Sequence, residues 1–113
     1  MSDCLFCGIV AGDVPATVVH QTDEFVAFRD INPQAATHVV VVTREHHENV
    51  AELAAADAGL AGRLLAAGAA VAAAEGLDDG YRFVFNTGRD GGQTVFHVHL
   101  HVLGGRSMTW PPG

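Results

Sequence analysis

"TVFHVHLHVLGG", residues 94–105, sets His97, His99 and His101 on alternate positions of an apolar run. Alternation of this kind predicts a β-strand with two unlike faces. Phe96, Val98, Leu100 and Val102 fall on one face, while Val95, the three histidines and Leu103 fall on the other. Successive histidines then stand about 6.5 Å apart along the strand. Three readings of the row compete: a solvated polar face, a metal site built from histidines two apart, and an imidazole nucleophile with two helpers.

The segment just before the row bears on that choice. "NTGRDGGQT", residues 86–94, puts Gly88, Gly91 and Gly92 immediately ahead of the histidines. Glycines let backbone N–H groups approach an anion closely. A glycine-rich turn alone is weak evidence, because most are only turns. Joined to three imidazoles, it describes a phosphate held beside a ring that is neutral at pH 7, given a reference pKa of about 6.5.

Upstream, "TVVHQTDEFVAFRD" (17–30) reads as two short strands turning near Thr22 and Asp23. "INPQAA" is a loop in which Pro33 pushes Asn32 out of helical geometry. "THVVVVT" (37–43) is apolar without a break and reads as a central strand. An alanine-rich helix is expected from about Ala55 to Glu75, stopped at Gly76, with Leu60, Leu64, Gly68 and Val71 on one face. "YRFVFNTG" (81–88) is a further strand, antiparallel to the histidine strand. The expected class is α+β: an antiparallel five-stranded sheet with one principal helix, in a single domain over 1–113.

Composition narrows the function. The 113 residues are 49% hydrophobic and 17% charged, which fits a globular fold and not a disordered chain. Net charge is −7 and the six basic residues are scattered arginines, which argues against nucleic acid as a partner. The longest apolar stretch, "LLAAGAAVAAA" (64–74), is well short of the roughly 20 residues a membrane span needs. No targeting segment stands out at the N-terminus, so a cytoplasmic location is expected. In that compartment Cys4 and Cys7 are thiols or metal ligands and not a disulfide. Their CxxC spacing by itself is open between metal, redox and neither.

"HVHLHV", "FRDINPQAATHVVVV", "GYRFVFNTGRDGGQTVFHVHLHVLGG" and the tail "MTWPPG" together resemble the histidine triad (HIT) superfamily, in its Hint branch of histidine triad nucleotide-binding proteins. The likeness runs nearly end to end. It implies a HIT-like fold, a sheet extended across a homodimer, and hydrolysis of AMP–amine phosphoramidates to AMP and amine. The resemblance gives His99 the role of nucleophile, through a nucleotidyl-histidine intermediate with no metal required. His101 corresponds to the phosphate contact, and His97 and His38 to supporting histidines. Phe28 and Ile31 match the purine walls, and Asp30 the carboxylate on the ribose hydroxyls. Asn86, Gly92, Gln93 and Thr94 match the phosphate surroundings. Trp110, in the tail 104–113, would reach the partner subunit's site. The resemblance also offers Cys4, Cys7, His46 and His97 as a structural zinc set, with His47 as the alternative to His46. Ala36, Arg29 and Thr43-Arg44 depart from the usual pattern, and the chain has no lysine, so Arg44 is the residue left for any lysine role there. Two other readings stand beside the phosphoramidase: a nucleotide-binding scaffold with incidental hydrolysis, and a dinucleoside polyphosphate hydrolase.

Overall fold

A computed structural model describes residues 3–113. Five strands form one antiparallel sheet in the order β1-β2-β3-β5-β4, with β1 Val18–Gln21, β2 Phe25–Arg29, β3 Thr37–Thr43, β4 Tyr81–Val84 and β5 His99–Gly104. The uninterrupted valines of β3 occupy the middle, where both faces are covered, as their unbroken apolar pattern requires. The β1–β2 turn falls at Thr22, whose hydroxyl accepts the N–H groups of Glu24 and Phe25.

Each face of the sheet has its own core. Toward the long helix α3 (Ala58–Ala74), Val39 and Val41 of β3 pack with Val98, Leu100 and Val102. Leu60, Leu64, Val71 and Ala72 of α3 close that layer. On the opposite face Val26, Phe28, Val40 and Val42 pack with Phe6 of a short helix, α1, Leu5–Ala11. His38, His99 and His101 share this second face. Pairing of Val42 with His99 and Val40 with His101 places the histidines against β3 and under α1. The alternation of the histidine strand therefore sorts its apolar residues to α3 and its imidazoles to the other side.

Three departures from the sequence expectation have local causes. The expected alanine-rich helix is α3, starting at Ala58 rather than Ala55, and a further helix absent from the expectation, α2 (Val50–Ala56), precedes it; Asp57 separates the two, with an extended φ of −156° and a carboxylate that accepts the Leu60 N–H at 3.0 Å. An N-cap interrupts the run where composition alone shows only alanine. Asn49 caps α2 in the same way, on the N–H of Glu52. The histidine strand begins at His99 rather than Thr94: residues 94–98 bend, and the Val98 N–H goes to His47 O at 2.7 Å. Phe96 is thereby turned out to solvent, 49% exposed, instead of joining Val98 in the core. Finally β4 stops at Val84, short of Gly88. Gly76 ends α3 as expected, with φ 72° and its N–H on Ala73 O. Among the described residues no helix is long and apolar enough to cross a membrane.

Two glycines of α3 should respond oppositely to alanine. A Cβ on Gly68 would meet Leu100 Cδ2 at 2.5 Å and Phe83 Cζ at 3.0 Å, whereas one on Gly62 meets nothing within 4 Å. Gly62→Ala should stabilise by about 0.5–1 kcal/mol through helix propensity. Gly68→Ala should destabilise by about 1 kcal/mol, because overpacking costs about 1–3 kcal/mol against a similar propensity gain. Urea denaturation of both variants checks the signs.

Candidate active site and metal centre

The imidazoles of the second face are ordered by hydrogen bonds that fix which ring nitrogen carries the proton. A carbonyl can only accept, so the 2.8 Å contact of His99 Nδ1 with His97 O makes Nδ1 the protonated nitrogen. Neutral His99 therefore has a bare Nε2 with its lone pair free. A second chain starts at the Gln34 N–H, which donates to His38 Nδ1 at 3.0 Å. His38 must then carry its proton on Nε2, which donates to His101 Nδ1 at 2.8 Å. His101 in turn holds its proton on Nε2, and that buried atom has no hydrogen-bond partner among the described residues. Two adjacent rings, with centroids 4.9 Å apart, thus present complementary groups: a lone pair from His99 and an N–H donor from His101.

Burial keeps these rings uncharged. It holds His99 below the usual histidine value, partly offset by the bond to the His97 carbonyl and by Asp30. Burial lowers His38 as well, against the pull of Asp30. His101 is pushed down to about 4, by burial first and by His99 and His38 after it. Asp30 stands beside the relay, its Oδ2 3.5 Å from His38 Nε2, and its Oδ1 accepts the Asn32 N–H at 2.8 Å.

All of this opens into one cavity of about 580 Å³. Of the residues assigned from sequence, His38, His99, His101, Phe28, Asp30, Ile31, Asn86, Gly92 and Thr94 line it. Phe28 is buried in its floor, whereas Ile31, 99% exposed, stands at the rim. Gln93 does not line it. Its buried amide shapes the glycine loop instead, donating to Glu48 O at 2.7 Å and Val95 O at 3.1 Å and accepting the Gly88 N–H at 2.9 Å. The N–H groups of Gly92 and Gln93 are bonded within the loop, to Arg89 O and Gly88 O. Trp110 is 82% exposed and lies away from the cavity within one chain. Arg44 is held at the β1–β2 turn by Thr22 O and Gln21 Oε1, and does not line the cavity.

The opposite wall was not legible as a site residue by residue. Leu5, Phe6 and Ile9 of α1 line the cavity, and the Phe6 ring meets His99 edge to face at 4.9 Å and 84°. The signal available was the apolar spacing within "LFCGIV", which the cysteines overshadowed.

Beside this cavity lies a second cluster. Cys4 Sγ, Cys7 Sγ, His46 and His97 bring their donor atoms within 4.8 Å of one another. His97 Nδ1 is 3.4 Å from each thiol, and His46 Nδ1 is 3.3 Å from Cys7 Sγ. Tetrahedral zinc with ordinary Zn–S and Zn–N bonds needs S···N edges of about 3.6 Å, so the four residues fit that ion. His97 Nε2 donates to Thr43 O at 2.6 Å, which leaves Nδ1 unprotonated and facing the thiols, as a ligating histidine requires. His46, not His47, joins the cluster, since His47 Nε2 lies 2.8 Å from Glu45 instead. His97 accordingly has its side chain in this cluster and only its carbonyl in the active site.

A HIT domain profile matches residues 11–108. The chain belongs to the HIT family. It is 48% identical to a HIT-like protein of Synechococcus elongatus over 111 residues, covering 98% of this chain and 97% of that one. It is 44% identical to the 14 kDa zinc-binding protein of Zea mays, over 99% of this chain and 89% of the relative. Among solved structures, a HIT family hydrolase of Legionella pneumophila superposes with a TM-score of 0.94 at 48% identity, covering 98% and 100% of the two chains. The histidine triad nucleotide-binding protein of Candida albicans gives 0.83 at 26% identity, covering 96% and 83%.

Because the folded state disfavours protonated His101, stability should be complete above the unfolded value of about 6.5 and fall as pH drops from there toward 4. Melting temperature should decline across that window, and less steeply in His101→Gln than in the wild type. Equal slopes would show that His101 does not contribute.

Proposed function

We propose that this HIT protein is a purine nucleoside phosphoramidase that converts AMP–amine conjugates to AMP and amine. The observation that carries the reading is the fixed pairing of a bare His99 Nε2 with the His101 Nε2–H at the floor of one cavity. His99 Nε2 attacks the α-phosphorus, forming an N–P bond as the P–N bond to the amine breaks. The amine leaves with a proton from water. The hydroxide left by that water then attacks phosphorus as the N–P bond to His99 breaks, AMP departs, and neutral His99 is restored. Throughout, Nδ1–H stays on the His97 carbonyl, which steadies the ring when it becomes cationic in the intermediate. His101 donates to a phosphoryl oxygen whose charge builds in the transition state.

The rest of the cavity suits a nucleotide. Phe28 and the apolar side chains of α1 offer a slot for the base. The Asp30 carboxylate offers oxygens to a ribose diol, and Asn86 and Thr94 offer polar groups at the phosphate end. Two features support a homodimer in which the tail 104–113 completes the partner's site. One is the sheet edge at β4, where Tyr81 is 45% exposed. The other is Trp110, exposed on a tail held by the bond from Arg82 to Thr109 O at 3.0 Å. Zinc on the Cys/His cluster and a cytoplasmic, thiol-reducing setting belong to the same reading.

Steady-state turnover of an AMP–tryptamine phosphoramidate, a diadenosine polyphosphate and AMP esters tests it. The wild type should prefer the phosphoramidate. His99→Ala should lose about 10³-fold or more in kcat, as removal of a nucleophile does. His101→Ala should lose about 10- to 10³-fold with little change in KM. Wild-type turnover in His99→Ala, or a strong preference for the polyphosphate, would overturn the assignment.

A further inference from the structure

The cavity and the Cys/His cluster share one element, α1. A seven-residue helix has too few hydrogen bonds to persist alone, so it must be held from outside. Phe6 is its one buried residue, with Ile9 and Val10 half-buried against the sheet. Further attachments pass through the cysteines, with Cys4 partly buried against the same core. Cys4 caps the helix by accepting the Cys7 N–H at 3.3 Å, and both thiols meet His97 at 3.4 Å. His97 lies on the segment leading into β5, so the cluster ties the start of α1 directly to the active-site strand. The other side of the same helix gives Leu5, Phe6 and Ile9 to the cavity. Phe6 touches the His97 ring at 6.1 Å as well as the nucleophile at 4.9 Å, between centroids.

We propose that zinc held by Cys4, Cys7, His46 and His97 is a clamp that sets α1 as the apolar wall of the nucleotide cavity, so that metal occupancy governs nucleotide affinity. The inference rests on the nucleotide reading of the cavity above. With the ion bound, four ligand bonds join α1 to His46 and His97, and Phe6 is pinned over Phe28 and His99. Without it, buried Phe6, the half-buried Cys4, Ile9 and Val10 and the thiol contacts to His97 hold the segment against the conformational entropy gained on release. The wall then opens while the sheet, with its separate α3 core, stays folded. Local release of this kind differs from general destabilisation, and amide exchange distinguishes them.

The test uses the full chain in three forms: zinc-loaded, chelator-stripped, and His46→Gln. That substitution removes the exposed ligand and leaves the core intact. AMP binding is measured by calorimetry, amide exchange by mass spectrometry, and metal content by elemental analysis. The clamp predicts AMP affinity at least tenfold weaker in the stripped and His46→Gln forms. It also predicts faster exchange confined to residues 5–12, β3 and β5 unchanged, and full recovery when zinc is returned to the stripped wild type. Equal AMP affinity with and without zinc would overturn it. So would a wild-type chain that takes up no zinc, or lost protection spreading through β3 and β5. If the zinc-loaded chain ordered α1 yet bound no AMP, the clamp on α1 would stand and the nucleotide reading would fall.

Discussion

The hydrogen bond from His99 Nδ1 to the His97 carbonyl, 2.8 Å long, is the constraint on which the rest of the site depends. A buried imidazole has two nitrogens to satisfy and one proton when neutral, so whatever binds one nitrogen decides the character of the other. Here a backbone acceptor takes Nδ1–H, and Nε2 is left as a base and nucleophile. The neighbouring relay from Gln34 through His38 reaches the opposite result for His101. Two identical residues, two positions apart on one strand, are thereby made into an electron-pair donor and a proton donor. Burial, which holds both rings below the ordinary histidine value, keeps the arrangement neutral.

That chemistry requires a strand whose two faces do different things. Val98, Leu100 and Val102 anchor the strand to α3 and β3 with essentially no exposure, so the alternate positions are held rigidly on the other side. His97, offered by the resemblance both as a supporting histidine and as a zinc ligand, meets the two neighbourhoods through different groups. Its ring turns to the thiols and its carbonyl to His99. The bend before His99 makes this possible by freeing His97 from the β-ladder. The metal-competent cluster and the nucleophile are consecutive links in one chain of contacts.

Much of the architecture could be read from the sequence because it follows from burial patterns. The valine run marked β3 as central, and Leu60, Leu64, Gly68 and Val71 did fall on the buried face of α3. What escaped was decided by single side-chain bonds to backbone. Asp57 caps α3 and so sets its start just past Ala55, with the unexpected α2 before it, and Gln93 spends its amide on the loop rather than on a ligand. The row of histidines was plain, but the tautomers that give the rings their roles depend on Thr43 O, His97 O and the Gln34 N–H, which no residue pattern reveals. Phe6 was hidden for another reason: lying between two cysteines, it contributes through its place over His99 and not through its own chemistry.

The tautomers are the part of the account most directly open to measurement. Nitrogen-15 NMR of ring-labelled protein at neutral pH reports, for each histidine, which nitrogen bears the proton. The hydrogen bonds predict the Nδ1–H form for His99, against the Nε2–H form that free imidazole side chains favour, and the Nε2–H form for His101. A His99 ring protonated on Nε2, or charged at neutral pH, would contradict that assignment, because the lone pair assigned to attack would then not exist.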